Sequence, residues 1–226
     1  MGKTIIQQAR GKGSLSYRVP RKAYCYRVTY PQKLTGEGEI IKLVNSTAHT
    51  YPLAKIKYSE EKFVQTSHGE PLKKVSNGIF YIPAFKEMCE GMKINFESKE
   101  IKDGNIIQLK DIPIKTKIYC IESRPGDGGK FIKSSGNLAI VNRIIGEQIF
   151  VLMPSKKEKP FNQNCRAIIG TIAGAQRIDK PIVKAGKNFF IRKSKNKLWP
   201  RTSAIKTNAI VHPFGSGRGK RIKQKI

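Results

Sequence analysis

The stretch Asn137-Leu-Ala-Ile-Val-Asn-Arg-Ile-Ile-Gly-Glu-Gln-Ile-Phe-Val-Leu-Met153 decides how the middle of the chain is read. Two short runs rich in β-branched and aliphatic residues, Asn137 to Ile144 and Gln148 to Met153, flank Gly146-Glu147. A glycine-containing pair between two such runs reads as the turn of a β-hairpin. Three further runs surround this hairpin: Ile106 to Leu109, Lys117 to Ile121 and Cys165 to Ile169. Five short strands joined by short loops predict a small barrel of the SH3-like kind.

The same pattern precedes it. Tyr24 to Tyr30, Gly38 to Val44, Leu53 to Tyr58, Ile79 to Ile82 and Met92 to Phe96 are separated by Pro31, Gly36, Pro52, Asn77-Gly78 and Gly91. Turn-punctuated strands at this spacing predict another small barrel, of OB type, a fold that commonly binds single strands. Lys33, Lys42, Lys55 and Lys57 supply a polar face to it. The polar segment Ser98 to Asp103 marks the seam between the two. Pro181 to Lys193 is the first stretch with a helical period. The expected fold is therefore all-β: an N-terminal arm over 1–22, an OB-fold over 23–99, an SH3-like barrel over 100–175 and a basic tail over 176–226.

Charge is distributed unevenly over the 226 residues, whose net formal charge is +28. Residues 1–36 hold eight Lys or Arg and no acid, the last 47 hold 14 and no acid, and the intervening 143 hold 22 against all 16 acids. The ends alternate charge with Gly, Pro and single apolar residues, so they are expected to run extended, without a core of their own. Such ends suit a polyanion, with Lys and Arg meeting phosphates and flat rings meeting bases. Binding to a membrane surface needs an amphipathic helix with an apolar face, which neither end provides, so a polynucleotide is expected in preference to a membrane. In the arm the candidate RNA contacts are Arg10, Lys12, Arg18 and Arg21; in the tail they are Trp199, Arg201, His212, Phe214, Arg218, Lys220 and Arg221.

Cys25, Cys89, Cys120 and Cys165 lie tens of residues apart and the three histidines are equally dispersed, which excludes a zinc knuckle and predicts reduced thiols. No stretch has the apolar length of a signal peptide or a membrane span, so a reducing, cytoplasmic compartment is expected. One loop stands out. Glu122-Ser-Arg-Pro-Gly-Asp-Gly-Gly-Lys-Phe-Ile-Lys-Ser-Ser-Gly136 places three glycines among Arg124, Lys130 and Lys133, so its backbone amides are expected to face an anion. It is not a nucleotide-binding P-loop, since Phe131 stands where Ser or Thr would hold magnesium.

Taken in order, Arg10-Gly-Lys-Gly13, Pro52-Leu-Ala-Lys55, Glu122 to Lys130 with Ser135-Gly136, Asn164-Cys-Arg-Ala167, Ile172-Ala-Gly174, Lys180-Pro181, Lys184-Ala-Gly-Lys187, Trp199-Pro-Arg201, Asn208-Ala209 and His212-Pro-Phe-Gly215 resemble the L2 family of large-subunit ribosomal proteins in its archaeal or eukaryotic form. The resemblance covers nearly the whole chain. It implies two barrels set on large-subunit rRNA, with extensions reaching toward the peptidyl transferase region and the subunit interface. It adds Arg166, Arg177, Lys184, Lys187 and Asn208 to the expected RNA contacts. The implied partners are the rRNA, neighbouring large-subunit proteins and the small subunit across the interface; no cofactor is implied beyond Mg²⁺ associated with the rRNA.

Three departures from the family pattern bear on the tail. Thr202-Ser-Ala-Ile-Lys-Thr207 replaces the usual Val-Arg-Gly-Val-Ala-Met, so contacts there are expected to be rearranged. Gly174-Ala-Gln176 replaces a glycine triplet, which limits close backbone approach. The family also continues for some tens of residues past His-Pro-Phe-Gly, so contacts of a longer tail are expected to be missing. A general-base role for His212 is the enzymatic alternative, but a His base needs an acceptor on its second ring nitrogen. Val211 stands where the family commonly has Asp or Glu, and no acid follows Asp179, so the chain is read as a scaffold and not an enzyme. A soluble translation factor with the same barrels is the other alternative.

Overall fold

The computed structural model describes residues 3–65, 71–96, 98 and 100–216, with the backbone alone for 60–65 and 71–76. The chain is all-β in its folded body. Two compact units form, one of Tyr24–Lys180 and one of Met1–Ala23 with Pro181–Ile226.

Within Tyr24–Lys180, β1 (Glu37–Val44), β2 (Leu53–Gln65), β3 (Pro71–Pro83) and β4 (Lys93–Asn95) make an antiparallel sheet in the order β3-β2-β1-β4. Along β1 the alternation buries Gly38 and Ile40. A bulge between Ile40 and Lys42 then inserts one residue, leaving Ile41 outward. Gly38 is glycine for want of room: a Cβ there would lie 2.5 Å from the Phe96 ring and 2.9 Å from Ile56. β2 and β3 pair from Leu53↔Pro83 to Gln65↔Pro71, well past the last pairing of β2 with β1 at Gly38↔Tyr58. The expected strand Tyr24 to Tyr30 is instead a 3-10 turn over Arg21–Tyr24 followed by single bridges from Val28 and Thr29 to Tyr81. Its polar groups go elsewhere: the Lys133 ammonium donates to the Val28 carbonyl at 2.8 Å, and Gly128 O accepts from Tyr30 N and the Thr29 hydroxyl.

The second sheet holds β5 (Ile106–Gln108), β6 (Lys117–Tyr119), β7 (Ala139–Ile145), β8 (Gln148–Leu152), β9 (Glu158–Asn162) and β10 (Arg166–Ile169) in the order β5-β10-β6-β7-β8-β9. The Gly146-Glu147 turn forms as read, with Gly146 at φ +57° between the paired Ile145 and Gln148. Sequence reading missed β9, whose Pro160 argues against a strand; at the sheet edge the missing N–H has no ladder bond to make. Three strands are buried on both faces. Ile106, Tyr119 and Ile168 join one core with Ile40, Leu53, Ile56, Phe80 and Ile82 of the first sheet, while their neighbours Ile107, Ile118 and Ile169 join a second core with Val141, Ile149, Val151 and Phe161. The two cores therefore share a wall, which is why β10 is apolar on both sides after Arg166.

In the other unit, α1 (Ile6–Gly11) and a 3-10 turn at Leu15–Tyr17 coil part of the arm that was expected to be extended. The run Ile6-Gln-Gln-Ala-Arg10 has good helix formers, and the Gln8 side chain accepts the Ile5 N–H at 3.1 Å. α2 (Ala185–Ser194) overlaps the expected helical stretch, ending one residue past it, and buries no residue. Lys3 N donates to Ile210 O at 2.8 Å, so the N-terminal segment and the tail share one fold.

Candidate nucleic-acid interface

The glycine loop after β6 begins at Glu122, whose carboxylate is fully buried. Glu122 Oε1 accepts the Arg166 Nη2 donor at 2.8 Å and the Gly128 N–H at 3.2 Å, while Oε2 accepts the Arg166 backbone N–H at 2.8 Å. Arg166 also donates from Nη1 to the Gln32 carbonyl at 2.9 Å and lies 5.0 Å over the Tyr30 ring. The Tyr30 hydroxyl donates toward the carbonyls of Cys120 and Arg166, both at 3.1 Å, and burial raises its pKa well above the ordinary phenol value.

Asp127 takes three further amides. Its carboxylate accepts from Ser123 N at 3.0 Å, Arg124 N at 3.3 Å and Gly129 N at 3.1 Å. The expectation that these amides face an external anion is therefore corrected: the anions are the loop's own carboxylates. Glycine is required at 128, where φ is +77° and a Cβ would fall on the Thr29 hydroxyl and lie 2.7 Å from the Tyr30 carbonyl. With its backbone engaged inward, the loop presents the exposed side chains of Arg124 and Lys130.

Arg166 must leave the set of RNA contacts, because its side chain is 7% exposed and its guanidinium is paired inside the protein. Lys133 is half-buried and bound to Val28 O; burial lowers its pKa from the ordinary lysine value. Arg177 is exposed at the end of a 3-10 turn over Ala175–Arg177. Sequence reading singled out the cations here and missed Glu122 and Asp127, although two acids spaced among glycines were a visible signal that the loop could close on itself.

In the other unit, Arg10, Lys12, Arg18, Arg21, Lys184, Lys187, Arg201 and Asn208 are exposed, and Trp199, His212 and Phe214 are half-buried. Arg18 Nε donates to Gly13 O at 2.9 Å and Arg10 lies 5.9 Å over Tyr17, so part of the arm is held in place. The tail segment Thr207 to Ser216 closes on itself: Val211 N and His212 N donate to Asn208 O, and Ser216 N donates to Thr207 O at 2.9 Å. Gly215 is buried at the crossing, where a Cβ would strike the Thr207 and Asn208 backbone. Arg218, Lys220 and Arg221 lie outside the described residues.

His212 Nδ1 accepts the Phe214 N–H at 3.1 Å, and the two rings sit 5.0 Å apart. A donor on Nδ1 places the proton of the neutral ring on Nε2, making that nitrogen a hydrogen-bond donor. A general base requires the reverse arrangement, an acceptor on the second nitrogen.

Residues 1–23 contain six Lys or Arg and residues 181–226 contain 13, and neither segment contains one Asp or Glu. All 16 acids lie in Tyr24–Lys180, together with the other 25 basic residues. Among the described residues no helix is long and apolar enough to cross a membrane.

Residues 102–226 match the family model described as the C-terminal domain of ribosomal proteins L2. Over nearly its full length the chain is similar to the large ribosomal subunit protein uL2 of Archaeoglobus fulgidus, with 37% identity covering 98% of this chain and 88% of that protein. It is likewise similar to uL2 of Methanocaldococcus jannaschii, at 36% identity over 96% of this chain and 86% of the relative, and to uL2 of Nanoarchaeum equitans, at 35% over 96% and 87%. The chain belongs to the ribosomal protein L2 family.

Proposed function

We propose that this protein is a structural, non-catalytic component of the large ribosomal subunit, resident on cytoplasmic ribosomes, that binds and organises large-subunit rRNA. The observation that carries this reading is a compact unit with 19 basic residues and no acid of its own. Charge of one sign at that density repels itself, and a polyphosphate chain is the partner that relieves it. Membership of the L2 family supports the same reading. In it, the two sheets of Tyr24–Lys180 act as OB-type and SH3-like barrels that dock by shape and phosphate contacts, while the acid-free unit lies near the peptidyl transferase region and the subunit interface. Neighbouring large-subunit proteins are the further partners, and Mg²⁺ accompanies the rRNA.

Sedimentation of lysate through a high-salt sucrose gradient, followed by crosslinking to RNA, tests this. Residence in the large-subunit peak with crosslinks from Trp199 to Phe214 is expected. Recovery only in light fractions would favour a factor that cycles on and off ribosomes. For the isolated protein, neutralising roughly six to ten phosphates should lower RNA affinity about 10³- to 10⁵-fold between roughly 50 and 200 mM salt. A flat salt response would refute the electrostatic argument.

A further inference from the structure

Three aromatic side chains from separate stretches line one groove of the acid-free unit: Tyr17 of the arm, Phe189 of α2 and Trp199 of the tail. Lys193 and Lys197 share its rim, and its cavity volume is about 180 Å³. A hydrophobic core would pack such rings against one another. Here no pair among the three is in ring contact, Phe189 is 39% exposed, and Tyr17 and Trp199 are half-buried. Phe189 instead meets Phe190 edge-on at 5.5 Å, and the Lys193 ammonium lies 5.9 Å over the Phe189 ring.

Separated aromatic faces beside lysines are what a single-stranded nucleic acid uses, with rings taking bases and ammonium groups taking the adjoining phosphates. A duplex cannot use them in this way, since its bases are stacked on each other and its phosphates alone are presented. An apolar peptide would leave Lys193, Lys197 and the unit's other cations without counter-charge.

We infer that the groove between Tyr17, Phe189 and Trp199 is a stacking site for an unpaired RNA base. The inference rests on the rRNA-binding reading and narrows it to single-stranded or bulged RNA at this place. It also gives the arm a role in the tail's site, because Tyr17 forms one wall.

Trp199 is the only tryptophan of the chain, so intrinsic indole fluorescence reports on this groove alone. The full chain is titrated with a single-stranded RNA dodecamer and with the same dodecamer as a duplex, at several salt concentrations. The single strand should change Trp199 emission on binding, and Tyr17→Ala or Phe189→Ala should weaken its binding about tenfold. The salt slope should be unchanged, since no phosphate contact is removed, and duplex affinity should stay as in the parent chain. Tyr17→Phe, which keeps the ring, should restore parent binding and so separates stacking from loss of fold. Equal losses on both RNAs, no loss on either, or salt-dependent binding of both without a change in Trp199 emission would overturn the stacking site while leaving the rRNA-binding reading standing. Failure of both RNAs to bind would overturn the two readings together.

Discussion

Replacing Arg166 with Met should destabilise the Tyr24–Lys180 unit far more than the loss of a surface arginine would. The Glu122 carboxylate is fully buried, and its only cationic partner among the described residues is the Arg166 guanidinium at 2.8 Å. Methionine fills much of the same stem volume but removes the charge. Glu122 would keep the amides of Gly128 and Arg166 and lose its counter-ion. Breaking a buried pair by removing one partner costs about 3–5 kcal/mol, because the other charge is left uncompensated. The Gln32 carbonyl loses its donor as well, in the direction of further loss.

The assay is urea unfolding followed by far-UV circular dichroism, which reads the two sheets of this unit. With a slope of about 2 kcal/mol per molar urea, the midpoint should fall by roughly 1.5–2.5 M. Glu122→Gln alone strands the guanidinium and should cost a similar amount. The double variant removes both charges, so its loss should fall short of the sum of the single losses by at least about 1.5 kcal/mol. A loss below about 1 kcal/mol for Arg166→Met, or additive losses within about 0.5 kcal/mol, would refute the argument that the loop is built on this pair.

Three further outcomes are expected. Gly128→Ala should cost above about 2 kcal/mol, because the new methyl meets Thr29 and Tyr30; Gly146→Ala, at φ +57° in open space, should cost only the left-handed backbone penalty of about 1 kcal/mol, and equal midpoints in urea would contradict the steric account. His49, whose Nδ1 lies 2.8 Å from the Ser46 hydroxyl and whose ring meets Tyr24 and Tyr51, has its pKa lowered by burial and then by Lys133. The unfolded chain therefore binds its proton first as pH falls, so the stability His49 contributes is full above pH 6.5 and is lost as pH drops toward the folded pKa; His49→Phe should flatten that slope, and an unchanged slope would assign it to other groups. Iodoacetamide at neutral pH should label the exposed Cys25 and Cys89 and spare Cys120 and Cys165, whose burial pushes their pKa values up to about 12 and about 11; mass spectrometry of native labelling would show an error if either buried thiol reacted first.

Strands were legible where their signal is local. Gln148 to Met153 alternates between core and surface and is bounded by its own turn, so the pattern needs no knowledge of partners. Beyond Tyr58 the signal fails: Ser59-Glu-Glu-Lys62 is too charged to read as a strand, yet it continues β2 because β3 supplies a backbone ladder opposite it. Tyr24 to Tyr30 fails in the opposite direction, since its tyrosines look like strand residues while its backbone is claimed by Lys133 and Gly128, about 100 positions away in sequence. Of the candidate site, exposed cations such as Arg124, Arg201 and Lys187 follow from composition alone. Arg166 could not be sorted from them, because what separates it is a carboxylate 44 positions away in the chain.

That carboxylate also explains why the protein keeps charges in a core where apolar residues would be easier to hold. An apolar pair in place of Glu122 and Arg166 would remove the cost of burying two ions, and buried pairs are often neutral or unfavourable against such a replacement. It would also orphan the amides of Gly128 and Arg166, at about 1–3 kcal/mol each, and free the loop from β10. Glu122 is held by Arg166 so that it can hold Gly128, and Gly128 in turn receives Thr29 and Tyr30. The placement of acids in this chain thus has two consequences. Within Tyr24–Lys180, Glu122 and Asp127 fix loop amides that would otherwise be open to an outside anion, and the lack of any acid in residues 1–23 and 181–226 leaves the cations there without an acidic partner from their own segments.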